Sequence, residues 1–274
     1  MGKIIDFDYT LMIREPQLIK PDIIYQERYG LKLEVITLEE TFEQFREAGI
    51  DHVVIAASDV ETTHGRKTPN EFIADLCRQY PDVFVFGFAG ADPHKGMAAV
   101  RELERAVKEL GLKGCYVNPW YHQIKANDRR YYLLYEKCAE LGIPVSLHTA
   151  SSLDNTISMD YGNPAHIDDV AVDIPELKIV MRHPCWPWVS QGIAVAYRHP
   201  HVYIDVSAMH PAMLFELVEA ARTVLQDKLL FGSAYPLVEP KKAVRWWQKL
   251  PLAEEIKHKI FYLNAARLIG LEEV

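Results

Sequence analysis

Two histidines, His148 and His183, each close a short apolar run rich in β-branched residues, and a third such run at the start of the chain leads to Asp8. An imidazole titrates near neutral pH, so these histidines have the chemistry to move protons. With the Asp8 carboxylate they also have the donor types to hold one divalent ion and leave positions open for water and substrate. A lone histidine at the end of an apolar run is usually a hydrogen-bonded core residue. Two on neighbouring strands beside an acid point to a shared site instead. The ends of the other runs are polar as well: Tyr116 and Asn118, then Tyr203, Asp205 and Ser207, then Gly232-Ser233-Ala234-Tyr235.

These residues must be brought together by the elements that carry them. Eight runs read as strands: Lys3–Phe7, His52–Ala57, Val83–Ala89, Gly114–Asn118, Pro144–His148, Lys178–His183, Val202–Ser207 and Lys228–Gly232. Segments of helical period separate them, among them Met97–Leu110, which stops at Gly111, and a helix capped by Asp128 that ends before Gly142 and Pro144. The spacing leaves room for right-handed parallel crossovers and none for hairpins, which predicts an α/β fold, a single (β/α)8 TIM barrel over residues 1–274. Chemistry in such a barrel sits at the carboxyl ends of the strands. Side chains alternate along a strand, so Asp6, Asp8 and Thr10 are expected on one face, Ser146 with His148, and Met181 with His183. On that count Arg182 faces the strand–helix layer as a structural residue. The long connection at 11–37 follows the first strand and reads either as a lid, with Arg14, Arg28 and its tyrosines over the ligand, or as a plug on the barrel end.

The composition fits a globular protein: 274 residues, 49% hydrophobic and 25% charged, with 30 Lys+Arg against 38 Asp+Glu for a net charge of -8. That balance, without a basic run, argues against nucleic-acid partners. No apolar stretch approaches the roughly 20 residues of a membrane span, and the charged start does not read as a signal peptide, so no membrane partner and a cytoplasmic location are expected. The cysteines Cys77, Cys115, Cys138 and Cys185 lack metal or disulfide spacing and read as buried thiols. Tyr116, Trp120, Tyr121, Trp186, Trp188 and Tyr235 fall at or near the mouth and suggest a flat, partly apolar small-molecule ligand. Of the other histidines, His52 reads as structural, whereas His94, His166, His199, His201 and His258 read as solvated. His64 and His122 are weak candidates for the site. Arg129 and Arg130 read as a solvated helix start.

Several longer phrases resemble those of a known family. IIDFDYT, GFAGADPHKGMAAVRELERAVKELGLKG, NDRRYYLLYEKCAELGIPVSLHTA, His183 with Pro187-Trp188, LLFGSAYP and NAARLIG are similar to the amidohydrolase-related metal-dependent hydrolases, in the branch of the aminocarboxymuconate semialdehyde and resorcylate-type decarboxylases. The resemblance covers nearly the whole chain and implies a TIM barrel, a homodimer, and hydrolysis or decarboxylation of a small carboxylated, lactone or aromatic substrate. It also implies a metal site built from a first-strand His-x-His, a fifth-strand His and an eighth-strand Asp, with the sixth-strand His acting on water or substrate. His148 and His183 match that pattern; Asp8 and Thr10 replace the His-x-His, and Ala234 replaces the aspartate. Three readings follow. In the first, Asp8, His148 and His183 hold one divalent ion, zinc first among the candidates. In the second, positioned histidines, carboxylates and cationic side chains act on a carbonyl substrate without metal, as in the family's lactonases. In the third, an inactive barrel binds a small ligand or a protein partner. As an enzyme, the chain would use His183 as acid/base with His148 and Asp8, and Tyr116, Asn118, Trp120, Trp186, Asp205 and Tyr235 would contact the substrate.

Overall fold

The computed structural model describes residues 2–11, 13, 27, 30, 35–151 and 154–271. All eight expected runs form strands: β1 (Ile5–Asp6), β2 (His52–Ala56), β3 (Phe84–Gly90), β4 (Gly114–Val117), β5 (Val145–His148), β6 (Ile179–Arg182), β7 (Val202–Asp205) and β8 (Leu229–Leu230). They pair in parallel in sequence order. The last returns to the first: Phe7 N donates to Phe231 O at 2.8 Å, and Tyr9 bridges Tyr235 in parallel. This is the TIM-barrel arrangement, in which helices between the strands cover the outer face.

Local sequence sets the helix ends. Helix α1 (Leu38–Ala48) starts in a capping box, with Glu40 N bonded to Thr37 Oγ1 and Thr37 N to Glu40 Oε2, and it stops at Gly49, whose φ of 71° is left-handed. Helix α2 (Asn70–Gln79) follows β2, and α3 (Met97–Lys108) and α4 (Arg129–Glu140) follow β3 and β4 near the expected bounds. Asp128 caps α4 by accepting from Arg130 N. Helices α5 (Ala165–Asp173), α6 (Val189–Arg198), α7 (Phe215–Ala221) and α8 (Pro240–Gln248) complete the outer ring. Among the described residues no helix is long and apolar enough to cross a membrane. Cys115, Cys138 and Cys185 are buried free thiols, and Cys77 is partly buried.

Two apolar layers divide the strand residues by parity. Ile179, Met181, Val145, Leu147, Cys115, Val117, Val202 and Ile204 belong to the large layer between strands and helices. Ile5, Phe7, Val54, Phe86, Phe88, Val180 and Leu230 fill the barrel interior, where they meet Tyr262, Ala265 and Ala266 of the C-terminal helical segment. Asn264 Nδ2 donates to Leu229 O at the start of β8, so that segment seals the amino end of the barrel. The carboxyl end is left for polar groups. Most of the 11–37 connection, including Arg14, Tyr25, Arg28 and Tyr29, lies outside the described residues.

Candidate active site at the barrel mouth

The parity expected for β6 is corrected here. Met181 packs outward, while Val180 and Arg182 point into the barrel, and β6 ends at Arg182 rather than at His183. His183 then takes a φ of 65°, uncommon for a residue with a Cβ. That turn brings two consecutive side chains to one place: Arg182 Nη1 lies 3.1 Å from Asp8 Oδ1, and His183 Nδ1 lies 3.5 Å from Asp8 Oδ2. Arg182 is therefore part of the mouth, and Tyr116 supports its guanidinium carbon 4.5 Å from the ring centroid. One sequence signal could have found it: a charge inside the apolar run of β6 needs a buried partner.

Thr10 departs from the expected face. It is exposed, because β1 bends at Phe7 and the chain beyond Asp8 runs along the β8 loop, with Ala234 N bonded to Asp8 O at 2.7 Å. Asp6 is buried and ties the same junction together, its Oδ1 accepting from Ser233 N and Asp8 N.

Asp8, Ser207 and His183 form a relay. Ser207 Oγ donates to Asp8 Oδ2 at 2.9 Å and also contacts His183 Nδ1 at 2.9 Å. The hydroxyl has one proton, already committed to the carboxylate, so His183 Nδ1 must donate to it. Nε2 is then the basic nitrogen of the ring. Burial holds the His183 pKa below the usual imidazole value; Asp8 opposes that shift and Arg182 adds to it.

Asp205 behaves oppositely. It is fully buried on β7, its Oδ1 accepts from Ser207 N at 2.8 Å, and its Oδ2 has no partner. Burial, followed by the nearby Asp8 charge, raises its pKa well above the usual carboxylate value, which favours the protonated acid here while burial favours the neutral imidazole of His183. Gly232 makes room for this acid, since a Cβ there would come within 2.7 Å of Asp205 Oδ2 and 3.0 Å of Asp8 Cβ.

His148 lies beside His183, ring centroids 4.6 Å apart and planes at 76°. Burial and the neighbouring His183 drive its pKa well down, and its Nε2 is shielded with no partner. Trp120 is fully buried against it at 6.3 Å. Asn118 is already engaged: its Nδ2 donates to the Tyr116 hydroxyl and its Oδ1 caps the turn at Tyr121 N. Tyr235 stacks on Tyr9 at 5.0 Å, and Trp186 is 36% exposed.

Three of the remaining histidines have fixed partners instead of solvent or a site. His122 bonds the Tyr131 hydroxyl through Nδ1 and Asp59 O through Nε2, His94 bonds His122 O, and His199 bonds Asp168. Burial lowers the His122 pKa to about 4.

Among the described residues, the group whose donor atoms could hold a divalent metal is Asp8, His183 and Asp205, with those atoms within 4.8 Å of one another. Asp205 takes the place expected for His148. The donor types suit such an ion, but the surroundings do not fit it while Arg182 is in place. Asp8 Oδ1 already binds the guanidinium and Oδ2 the Ser207 hydroxyl. A fixed positive charge near an ion repels it by about 4 kcal/mol per unit of charge at about 4 Å and an effective dielectric of about 20, so roughly 8 kcal/mol for a divalent ion.

A family model described as amidohydrolase matches residues 21–271, and the chain belongs to that family. The gamma-resorcylate decarboxylase of Rhodococcus jostii is 24% identical over 258 residues, covering 74% of this chain and 75% of that enzyme. A TIM-barrel protein from Bordetella bronchiseptica matches with a TM-score of 0.82 at 31% identity, over 98% of this chain and 99% of its own. A dihydroxybenzoic acid decarboxylase from Polaromonas, solved with manganese and 2-nitroresorcinol, matches with a TM-score of 0.72 at 20% identity, over 100% of this chain and 98% of that one.

Proposed function

We propose that the protein is a carboxy-lyase for a small aromatic carboxylate, working at the barrel mouth with groups of its own chain. The family and its decarboxylase members make it an enzyme of the hydrolase or carboxy-lyase kind. The observation that carries the narrower reading is the placing of Asp205 and His183, with donor atoms within 4.8 Å of one another at the mouth, where burial pushes the pKa of the acid up and that of the imidazole down. Decarboxylation of a hydroxybenzoate needs such a pair. His183 Nε2 takes the phenolic proton, which raises electron density at the ring carbon bearing the carboxylate. Asp205 delivers its proton to that carbon, the carbon–carboxylate bond breaks, its electron pair returns to the ring, and CO2 leaves. His183 returns its proton to the phenolate oxygen, and solvent restores the proton to Asp205. Ser207 and Asp8 hold the His183 tautomer, Trp120 and Tyr116 shape the pocket, His148 Nε2 offers a hydrogen bond, and Trp186 and Tyr235 provide ring faces at the rim.

The same His183 base could activate water, which keeps ester or lactone hydrolysis as the second reading. A panel of hydroxybenzoates and aryl lactones separates the two, with release of CO2 and of the phenol followed together. Asp205→Asn should lower decarboxylation by about 10²–10⁴-fold while binding is retained. If the wild type releases no CO2 from any member, the carboxy-lyase reading is wrong. The homodimer and the cytoplasmic location belong to the same proposal; sedimentation velocity and cell fractionation test them.

A further inference from the structure

We infer that Arg182 is the resident cation of this site, occupying the electrostatic place of a divalent ion and offering the Nε–Nη2 edge of its guanidinium to the carboxylate of the substrate. The second half rests on the aromatic-carboxylate reading; the first does not.

Arg182 is 6% exposed at the inward end of β6, and its three nitrogens have different fates. Nη1 pairs with Asp8, while Nε and Nη2 are buried without a hydrogen-bond partner. Leaving charged donors unpaired in an interior is costly, so a group that the protein does not supply should meet them. Nε–H and one Nη2–H lie side by side along one edge of the planar guanidinium, at the spacing of two carboxylate oxygens. A single acceptor atom can only bridge them through two bent hydrogen bonds, whereas two carboxylate oxygens give each donor a straight one. The Tyr116 ring lies beside the guanidinium carbon, 4.5 Å from centroid to carbon.

The position also explains why a divalent ion is excluded. Asp8 is common to the ion pair and to the candidate ligand group, so guanidinium and metal compete for one carboxylate. The guanidinium is attached to the chain and keeps its charge at every accessible pH. It wins without depending on metal supply.

Isothermal calorimetry on protein purified without chelators tests both halves. Manganese and zinc chlorides are titrated separately from 2,6-dihydroxybenzoate, into the wild type, Arg182→Lys and Arg182→Gly, each checked for folding by circular dichroism. The wild type should bind the benzoate and take up neither metal. Arg182→Gly should gain metal affinity by about 100-fold or more as the repulsion is lifted. Arg182→Lys keeps the charge and loses the fork, so it should still exclude metal while binding the benzoate about 10–100-fold more weakly. Should Arg182→Gly fail to fold, the wild type and Arg182→Lys carry the test.

One tightly bound metal per wild-type chain overturns the first half. Benzoate binding that is absent in the wild type, or equal in the wild type and Arg182→Lys, overturns the second. No arm reads turnover, so a protein that excludes metal and binds the benzoate yet decarboxylates nothing refutes the proposed function and leaves this inference standing.

Discussion

Asp8→Asn should be among the most destabilising single substitutions at the mouth, and its cost should be largely recovered when Arg182 is removed with it. The carboxylate and the guanidinium are 3.1 Å apart, and their residues are 3% and 6% exposed. At that separation and an effective dielectric of about 20 the attraction is roughly 5 kcal/mol, much of it spent on desolvating the two ions. Removing the carboxylate alone leaves the guanidinium buried and unpaired, which costs about 3–5 kcal/mol. Arg182→Met should cost less, because Asp8 keeps the Ser207 hydroxyl and the neighbouring His183. The double variant, with no charge left unpaired, should be clearly more stable than Asp8→Asn alone, giving a coupling of a few kcal/mol. Thermal unfolding followed by far-ultraviolet circular dichroism reads the set; for a chain of this length, about 3–5 kcal/mol corresponds to a fall of roughly 6–10 °C. If Asp8→Asn stays within about 0.5 kcal/mol of wild type, the pair does not hold the mouth together, and the assignment of Arg182 to the interior fails with it.

Acid should weaken the protein through His122, whose imidazole is surrounded by the Asp59 carbonyl, the Tyr131 hydroxyl, Asp92, His94 and His64. The unfolded imidazole takes its proton near about 6.5, the folded one only at about 4, so stability falls as pH drops through that window, by up to about 3 kcal/mol. Urea titrations from pH 7 to 4 should show this slope in the wild type and a flatter one in His122→Gln; equal slopes would exclude His122 as the origin. Gly232→Ala should fold, at a cost of about 1–3 kcal/mol from overpacking, and lose activity, because the added methyl meets Asp205 Oδ2 and displaces the acid. An active Gly232→Ala enzyme would show that Asp205 is not positioned at that contact.

The barrel was readable because its signals are local. The eight runs are largely apolar and most carry β-branched residues, helix ends are readable in segments such as Met97–Leu110 and the one capped by Asp128, and parallel crossovers follow from the spacing. On β7, Tyr203, Asp205 and Ser207 alternate within or just beyond the strand, and Val202 and Ile204 pack outward as the alternation requires. Where a chain leaves its strand, counting by twos stops working. β6 ends one residue before His183, and the left-handed turn there undoes the parity that had assigned Met181 inward and Arg182 outward. β1 fails in the same way at its bend, which puts Thr10 in solvent. Asp205 could be placed near the mouth from sequence, but its protonated state could not. That state depends on complete burial beside Asp8, which belongs to the packing of three strands.

The charges at the mouth support a site complete in its own residues. Asp8 carries one negative charge and Arg182 one positive charge at 3.1 Å. Asp205 is held as the neutral acid, and burial keeps His148 and His183 as neutral imidazoles. Asp6, buried in the same junction with its pKa raised to about 7, adds a fractional negative charge at neutral pH, so the buried set is close to neutral, the condition an interior of low polarizability favours. Binding a divalent ion to Asp8, His183 and Asp205 would release the proton on Asp205 and add two positive charges, leaving an added net charge of one beside the guanidinium that already pairs with Asp8. On the proposed carboxy-lyase reading, a substrate carboxylate on the Nε–Nη2 edge of Arg182 adds one negative charge, which is neutralised when CO2 leaves and one solvent proton is taken up. In that proposal the net electrostatic change is the loss of the one charge that the substrate brought in, which would favour release of product and uptake of the next carboxylate.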